Sequence, residues 1–136
     1  MAKQFISDIM STQFPLITPD TEITDAIVQL EKFALFGAPV QDHTGKLVGF
    51  ISEQQLLAPL LQSSYFCDGA TAVGQLMRKE TLAVSKTTTV VDLATQMQQN
   101  KPKIYPVIDN DKVIAVVTRS QVLNALKENY LSCSAH

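Results

Sequence analysis

The apolar positions of this chain follow one pattern, written twice. Residues 16–18 form a short apolar stretch, after which Ile23, Ile27, Leu30 and Ala34 recur at helical spacing. Thr21 stands where a helix cap belongs, with Asp25 close to the positive end of the helix. Two strand-like runs follow, around Pro39-Val40 and over residues 47–51, separated by the turn-forming Asp42-His43-Thr44-Gly45. Residues 53–61 close the unit as a second predicted helix. The same order returns in residues 83–130. An apolar stretch at 83–85 precedes a helix face of Val90, Leu93, Ala94 and Met97 behind Thr88 and Asp92. Strands at 104–108 and 113–117 then flank Asp109-Asn110-Asp111, and a helix is predicted over 120–130. Each unit reads strand, helix, strand, strand, helix. Short helical segments at 6–10 and 72–77 lead into the two units.

The two units also match residue by residue. At an offset of 67, Met10 falls on Met77, Thr21 on Thr88, Asp25 on Asp92, Gln29 on Gln96, Pro39 on Pro106, Val40 on Val107 and Asp42 on Asp109. After the hairpin turn the offset drops to 66, and Lys46 meets Lys112, Gln55 meets Gln121, Leu57 meets Leu123 and Leu60 meets Leu126. A single deletion in a turn is the length change a fold tolerates best. The chain therefore divides into a first repeat over 1–62, a linker over 63–71, a second repeat over 72–129 and a tail over 130–136. A unit of about 60 residues has a marginal core alone. Two copies can bury their sheet faces against each other, with internal pseudo-two-fold symmetry and a cleft between the halves.

Composition narrows the function. Of 136 residues, 46% are hydrophobic and 18% charged, which argues for a packed core and against disorder. A net charge of −2 makes a nucleic-acid partner an unpromising expectation. No apolar run reaches the roughly 18 residues of a membrane span. The residues following Met1 lack the apolar centre of a signal peptide, so the expected location is the cytoplasm, with Cys67 and Cys133 as reduced thiols. Neither cysteine has a cysteine or histidine at metal-ligand spacing. With two histidines, five glycines, no nucleophile motif and no phosphate loop, the sequence points away from an enzyme.

The motifs resemble the CBS domain family, named for cystathionine beta-synthase, in its tandem form. The first copy carries Asp8-Ile9-Met10-Ser11, Ile17-Thr18-Pro19-Asp20-Thr21, Gly37-Ala38-Pro39-Val40-Gln41-Asp42 and Leu47-Val48-Gly49-Phe50-Ile51-Ser52. The second carries Gln75-Leu76-Met77-Arg78, Ala83-Val84-Ser85, Tyr105-Pro106-Val107-Ile108-Asp109 and Val113-Ile114-Ala115-Val116-Val117-Thr118. The resemblance implies an α/β (α+β) fold of two pseudo-symmetric repeats packed through their sheets. It implies a regulatory module that catalyses nothing and requires no cofactor. Many members bind AMP, ADP, ATP or S-adenosylmethionine between the repeats, and many form flat dimers. Members are usually attached to the enzyme, channel or transporter they control. This chain is expected to form a homodimer and to act in trans on an unknown regulated protein.

In ligand-binding members a Ser or Thr at the end of the last strand is followed, three residues on, by an Asp that accepts from the ribose hydroxyls. Here the first copy reads Ser52-Glu53-Gln54-Gln55 and the second Thr118-Arg119-Ser120-Gln121. Both hydroxyls are present and both Asp positions are Gln. A neutral amide should hold a ribose diol about tenfold less tightly. The second cleft is expected to be the better equipped, with Ser85, Lys86, Tyr105, Pro106, Thr118, Arg119 and Gln121. Tyr105 would stack on a ring, and Lys86 and Arg119 would meet phosphate, with Lys103 helping if it points inward. The first cleft offers Thr18, Ala38, Ser52 and Gln55. Each of these residues has a plainer alternative. The hydroxyls also suit caps, Tyr105 suits packing, Arg119 suits a solvated surface, and Lys101-Pro102-Lys103 suits a loop. The rival function is a ligand-free interaction module using Tyr65, Phe66, Tyr130 and Leu131 as contact surface.

Overall fold

The computed structural model describes residues 4–66, 71–98 and 101–134. In the first repeat, helix α1 (Ile6–Ile9) leads to α2 (Ile23–Phe33), strands β1 (Gly37–Gln41) and β2 (Leu47–Ser52), and helix α3 (Glu53–Phe66). In the second, a 3₁₀ turn at Val73–Gln75 leads to β3 (Val84–Ser85), α4 (Val90–Met97), β4 (Ile104–Asp109), β5 (Lys112–Thr118) and α5 (Arg119–Ser134).

The α2 face differs from expectation at its two ends. Ala34 is exposed rather than buried: it takes the left-handed conformation at φ 54° and its N–H closes back on the Leu30 and Glu31 carbonyls. Ala26, fully buried, completes the face with Ile23 and Leu30. Thr21 does not cap the helix, because its hydroxyl accepts from the Thr18 N–H at 3.0 Å and closes the turn before it. In α4 the cap is Thr89, one residue later than Thr88, and its hydroxyl accepts from the Asp92 N–H at 3.1 Å.

The sheets are unequal. β3 pairs parallel with β4, which pairs antiparallel with β5, whereas the first repeat has the β1–β2 hairpin alone. The strand expected at residues 16–18 is reduced to one ladder bond, from the Gln41 N–H to the Ile17 carbonyl at 3.0 Å. The reason lies in its flanks. Pro15 and Pro19 have no N–H to donate, and their repeat equivalents are Leu82 and Lys86. Both closing helices also run past their expected ends.

Strand alternation gives each sheet two uses. Ala38, Val40 and Ile51 face one core with Ile17, Ile23, Ala26, Leu30 and Leu56. Tyr105, Val107, Ala115 and Val117 face the other with Val84, Val90, Leu93, Met97, Val122 and Ala125. The opposite faces, carrying buried Pro39 and Pro106, meet where β1 packs on β4 and β5.

Each core is completed by the other repeat's leading segment. Ile6 of the first repeat is fully buried in the second core, and Val73 of the second repeat is fully buried in the first. The backbone follows. Ser11 exchanges hydrogen bonds with Val116 at 2.8 and 3.0 Å, and Arg78 exchanges them with Phe50 at 2.8 and 2.9 Å. Phe5 bridges Thr89 as Ala72 bridges Glu22, and Lys46 bridges its own equivalent, Lys112. Burying a side chain the size of Ile or Val stabilises by about 1.5–3 kcal/mol, so neither repeat is self-sufficient.

Candidate functional site

The closing helix of each repeat begins directly where its last strand ends, at Ser52 and Thr118. The sequence Ser/Thr-x-x-Gln is a capping box, in which the hydroxyl and the Gln side chain satisfy helix-end donors reciprocally. In the second repeat the box is complete. The Gln121 Oε1 accepts from the Thr118 N–H at 2.9 Å, and the Thr118 hydroxyl accepts from the Gln121 N–H at 3.2 Å. In the first repeat the Gln55 Oε1 accepts from the Ser52 N–H at 2.9 Å and from its hydroxyl at 3.2 Å.

The remaining amide donors cross between repeats. Gln121 Nε2 donates to the Ser11 hydroxyl at 3.1 Å, and Gln55 Nε2 donates to the Leu76 carbonyl at 3.1 Å. Both acceptors lie in the leading segment of the other repeat. The two glutamines thus tie each strand–helix junction to the segment that completes its core.

Beside each junction lies a groove. The first, of about 690 Å³, is lined by Ser11, Gln13, Lys103, Ile104, Val116, Thr118, Arg119, Ser120 and Gln121 on one side and by residues 33–36 on the other. The second, of about 830 Å³, is lined by Phe36, Gly37, Phe50, Ser52, Gln54, Gln55, Arg78, Glu80, Lys101 and Lys103, among others. Both volumes suit a mononucleotide-sized ligand. The first groove carries two cations and no carboxylate among its lining residues. The second carries three cations and Glu80. This concentration of positive charge stands out on a chain whose net charge is −2.

The expected site residues divide accordingly. Thr118, Arg119 and Gln121 line the first groove, and Ser52 and Gln55 the second. Tyr105 does not offer a stacking face: it is 1% exposed and belongs to the helix-side core, sharing strand parity with Val107. Burial raises its phenol above the ordinary value of 10.0. Its hydroxyl has no hydrogen-bond partner. Ala38, its repeat equivalent, is likewise a core residue. Pro106 is buried between the sheets. Thr18, Ser85 and Lys86 are absent from the linings of both grooves. The Thr18 hydroxyl is within 3.3 Å of that of Thr21, Ser85 bonds within its own turn to Thr87, and Lys86 pairs with Asp109 at 3.6 Å on the surface.

Two further residues line the grooves without having been assigned to the site: Phe36, which lies just outside the quoted motifs, and Arg78, which ends the Gln75-Leu76-Met77-Arg78 motif. The repeat offset contained the signal, since Phe36 is the equivalent of Lys103 and Arg78 of Ser11. Cys67 lies outside the described residues. Among the described residues no three of His, Cys, Asp or Glu are placed to hold a metal ion, and no helix is long and apolar enough to cross a membrane.

The CBS domain matches the chain twice, over residues 6–61 and 73–128. The chain belongs to the CBS domain family. It carries the domain as a tandem pair, with the mixed helix and strand fold of that pair. CBSX2, from Arabidopsis thaliana, solved in complex with AMP, is 30% identical, with a TM-score of 0.79 over 93% of this chain and 98% of that one. A second Arabidopsis thaliana protein, the chloroplastic CBS domain-containing protein CBSX1, is 28% identical over 81% of this CBS pair. The A-adding tRNA nucleotidyltransferase of Aquifex aeolicus is 28% identical over 91% of it. The pair spans 58% of CBSX1 and 14% of the nucleotidyltransferase.

Proposed function

We propose that this CBS pair is a regulatory, non-catalytic module that takes an adenine-containing phosphate ester in the groove beside Thr118. One observation carries the reading. That groove brings the Thr118, Ser120 and Ser11 side chains together with Arg119 and Lys103, and no carboxylate lines it. Hydroxyls and cations without a competing acid suit a phosphate. The similarity to CBSX2, which binds AMP, supports the adenine part. A ligand bound between repeats acts only through its differential affinity for their alternative packings.

The glutamines shape what that ligand is. Gln121 and Gln55 each direct their oxygen at their own backbone and their donors at the other repeat. A ribose diol meets engaged amides in place of a carboxylate, so recognition falls on phosphate and base.

Thermal unfolding with AMP, ADP, ATP and S-adenosylmethionine tests the reading. Ligand at about 100 times its dissociation constant stabilises by roughly 2.7 kcal/mol, or about 10 °C for a domain of this size. The shift should vanish in Arg119→Ala and Thr118→Ala. A flat melting temperature across the panel rejects it.

A second reading is a ligand-free module that dimerises and docks on a partner in trans. It is favoured by the closing helices, where Leu57 and Leu61 on α3 and Leu123, Tyr130 and Leu131 on α5 are all more than half exposed. Apolar faces repeated on both halves suit a self-complementary homodimer contact. Sedimentation equilibrium showing a monomer at high concentration rejects the homodimer.

A further inference from the structure

Residues 4–11, the leading segment of the first repeat, lie along the second repeat. The Ile6 and Ser7 N–H groups donate to the Thr88 and Lys86 carbonyls at 2.8 and 3.0 Å, and the Gln4 carbonyl accepts from the Val90 N–H at 3.0 Å. Ile6 fills the second core, and Ile9 and Met10 pack partly buried against it. The segment ends at Ser11, which pairs with the Val116 backbone and lines the Thr118 groove. A segment held by one fully buried side chain and a handful of backbone bonds opens at lower cost than the whole domain. One wall of the groove is therefore a detachable piece.

Ser11 also carries the group that a phosphate needs. Its hydroxyl oxygen accepts from Gln121 Nε2 at 3.1 Å, which leaves the hydroxyl proton to donate. The groove beside Ser52 has no such arrangement. There Gln55 Nε2 donates to the Leu76 carbonyl, which has no proton to pass on, and the equivalent of Ser11 is Arg78.

We propose that ligand occupancy of the Thr118 groove and docking of residues 4–11 are one linked equilibrium, with Ser11 as the link. The Ser11 hydroxyl donates to a phosphate oxygen of the ligand while Gln121 holds it against the start of α5. A ligand that needs Ser11 binds the docked state and not the open one, so it suppresses opening in proportion to its concentration over its dissociation constant. Ile6 and Ser7, which line neither groove, are then held in place by a ligand they do not touch. Loss of the ligand frees the apolar side of the segment and uncovers the core that it fills, which gives a regulatory signal a physical form. This rests on the nucleotide reading above.

Amide hydrogen exchange with and without AMP tests it, with binding to each protein followed by titration calorimetry. Without ligand, the Ile6 and Ser7 amides should exchange faster than the protected amides of the β4–β5 pair. With AMP at about 100 times its dissociation constant, their exchange should slow about 100-fold. Ser11→Ala should lose most of that slowing, and Ser11→Thr, which keeps the hydroxyl, should retain it. Exchange at Ile6 and Ser7 already as slow as in the β4–β5 pair, unchanged exchange there once calorimetry shows AMP bound, or full slowing in Ser11→Ala each overturns the linkage while leaving the nucleotide reading in place. Absence of AMP binding to the wild-type chain overturns the nucleotide reading and the proposal with it.

Discussion

The Gln121 side chain spans 110 positions of sequence to reach the Ser11 hydroxyl at 3.1 Å, while its oxygen caps the helix that it begins. One side chain thus serves a local and a long-range purpose. Gln121→Ala should cost about 1–2 kcal/mol, and Ser11→Ala about 0.5–1.5 kcal/mol. The double variant should cost less than the sum, because the two share a bond. Urea unfolding of the four proteins measures this, and strict additivity would show that the crossing bond contributes nothing.

The same position tests ligand recognition. Gln121→Asp replaces an engaged amide with an acceptor-only carboxylate facing the groove. Affinity for AMP should rise about tenfold, with little gain for a phosphate probe that has no ribose. Calorimetry with AMP and with pyrophosphate separates the two outcomes.

Much of this arrangement was legible in the sequence. The two offsets, 67 and 66, located both repeats, both junctions and the equivalence of Gln55 with Gln121. What failed was the choice of face. Tyr105 sits next to Pro106 in a motif, yet it shares parity with Val107, and one face of that strand is core while the other meets the second sheet. An aromatic ring beside a cleft motif is ambiguous until parity is fixed, and the small equivalent Ala38 gave no warning. The lost strand at residues 16–18 was readable in principle, since two prolines bracket it.

Tyr105 supplies a stability prediction. Its buried hydroxyl has no partner, so Tyr105→Phe should stabilise the fold by about 1 kcal/mol at neutral pH. The sign with pH follows from burial, which raises the folded phenol above the unfolded value of 10.0. Above that value the unfolded chain loses its proton first. Stability therefore falls as pH rises from the unfolded to the folded value, and the Phe variant lacks this contribution. Chemical unfolding at pH 8 and pH 10.5 compares the two proteins.

Gly49 supplies another. A Cβ there would lie 2.7 Å from the Arg78 carbonyl oxygen and 2.7 Å from the Met77 sulfur. The Arg78 oxygen is backbone and is held by the Phe50 N–H. Gly49→Ala should therefore push the second leading segment off β2 and cost about 1–3 kcal/mol. Faster amide exchange at Phe50 and Arg78 would locate the damage, and unchanged protection at both would refute it.

The exchange of leading segments also imposes an order on synthesis. While the ribosome is still making the second repeat, Ile6 has nowhere to go, because Val90, Leu93 and Tyr105 do not yet exist. The first repeat meanwhile waits for Val73. Its core can close as soon as the segment around Val73 emerges, but α1 stays undocked until β4, β5 and α5 have followed. The nascent chain therefore passes through a stage with one finished half and one exposed apolar hook, a surface open to a chaperone or to a neighbouring nascent copy.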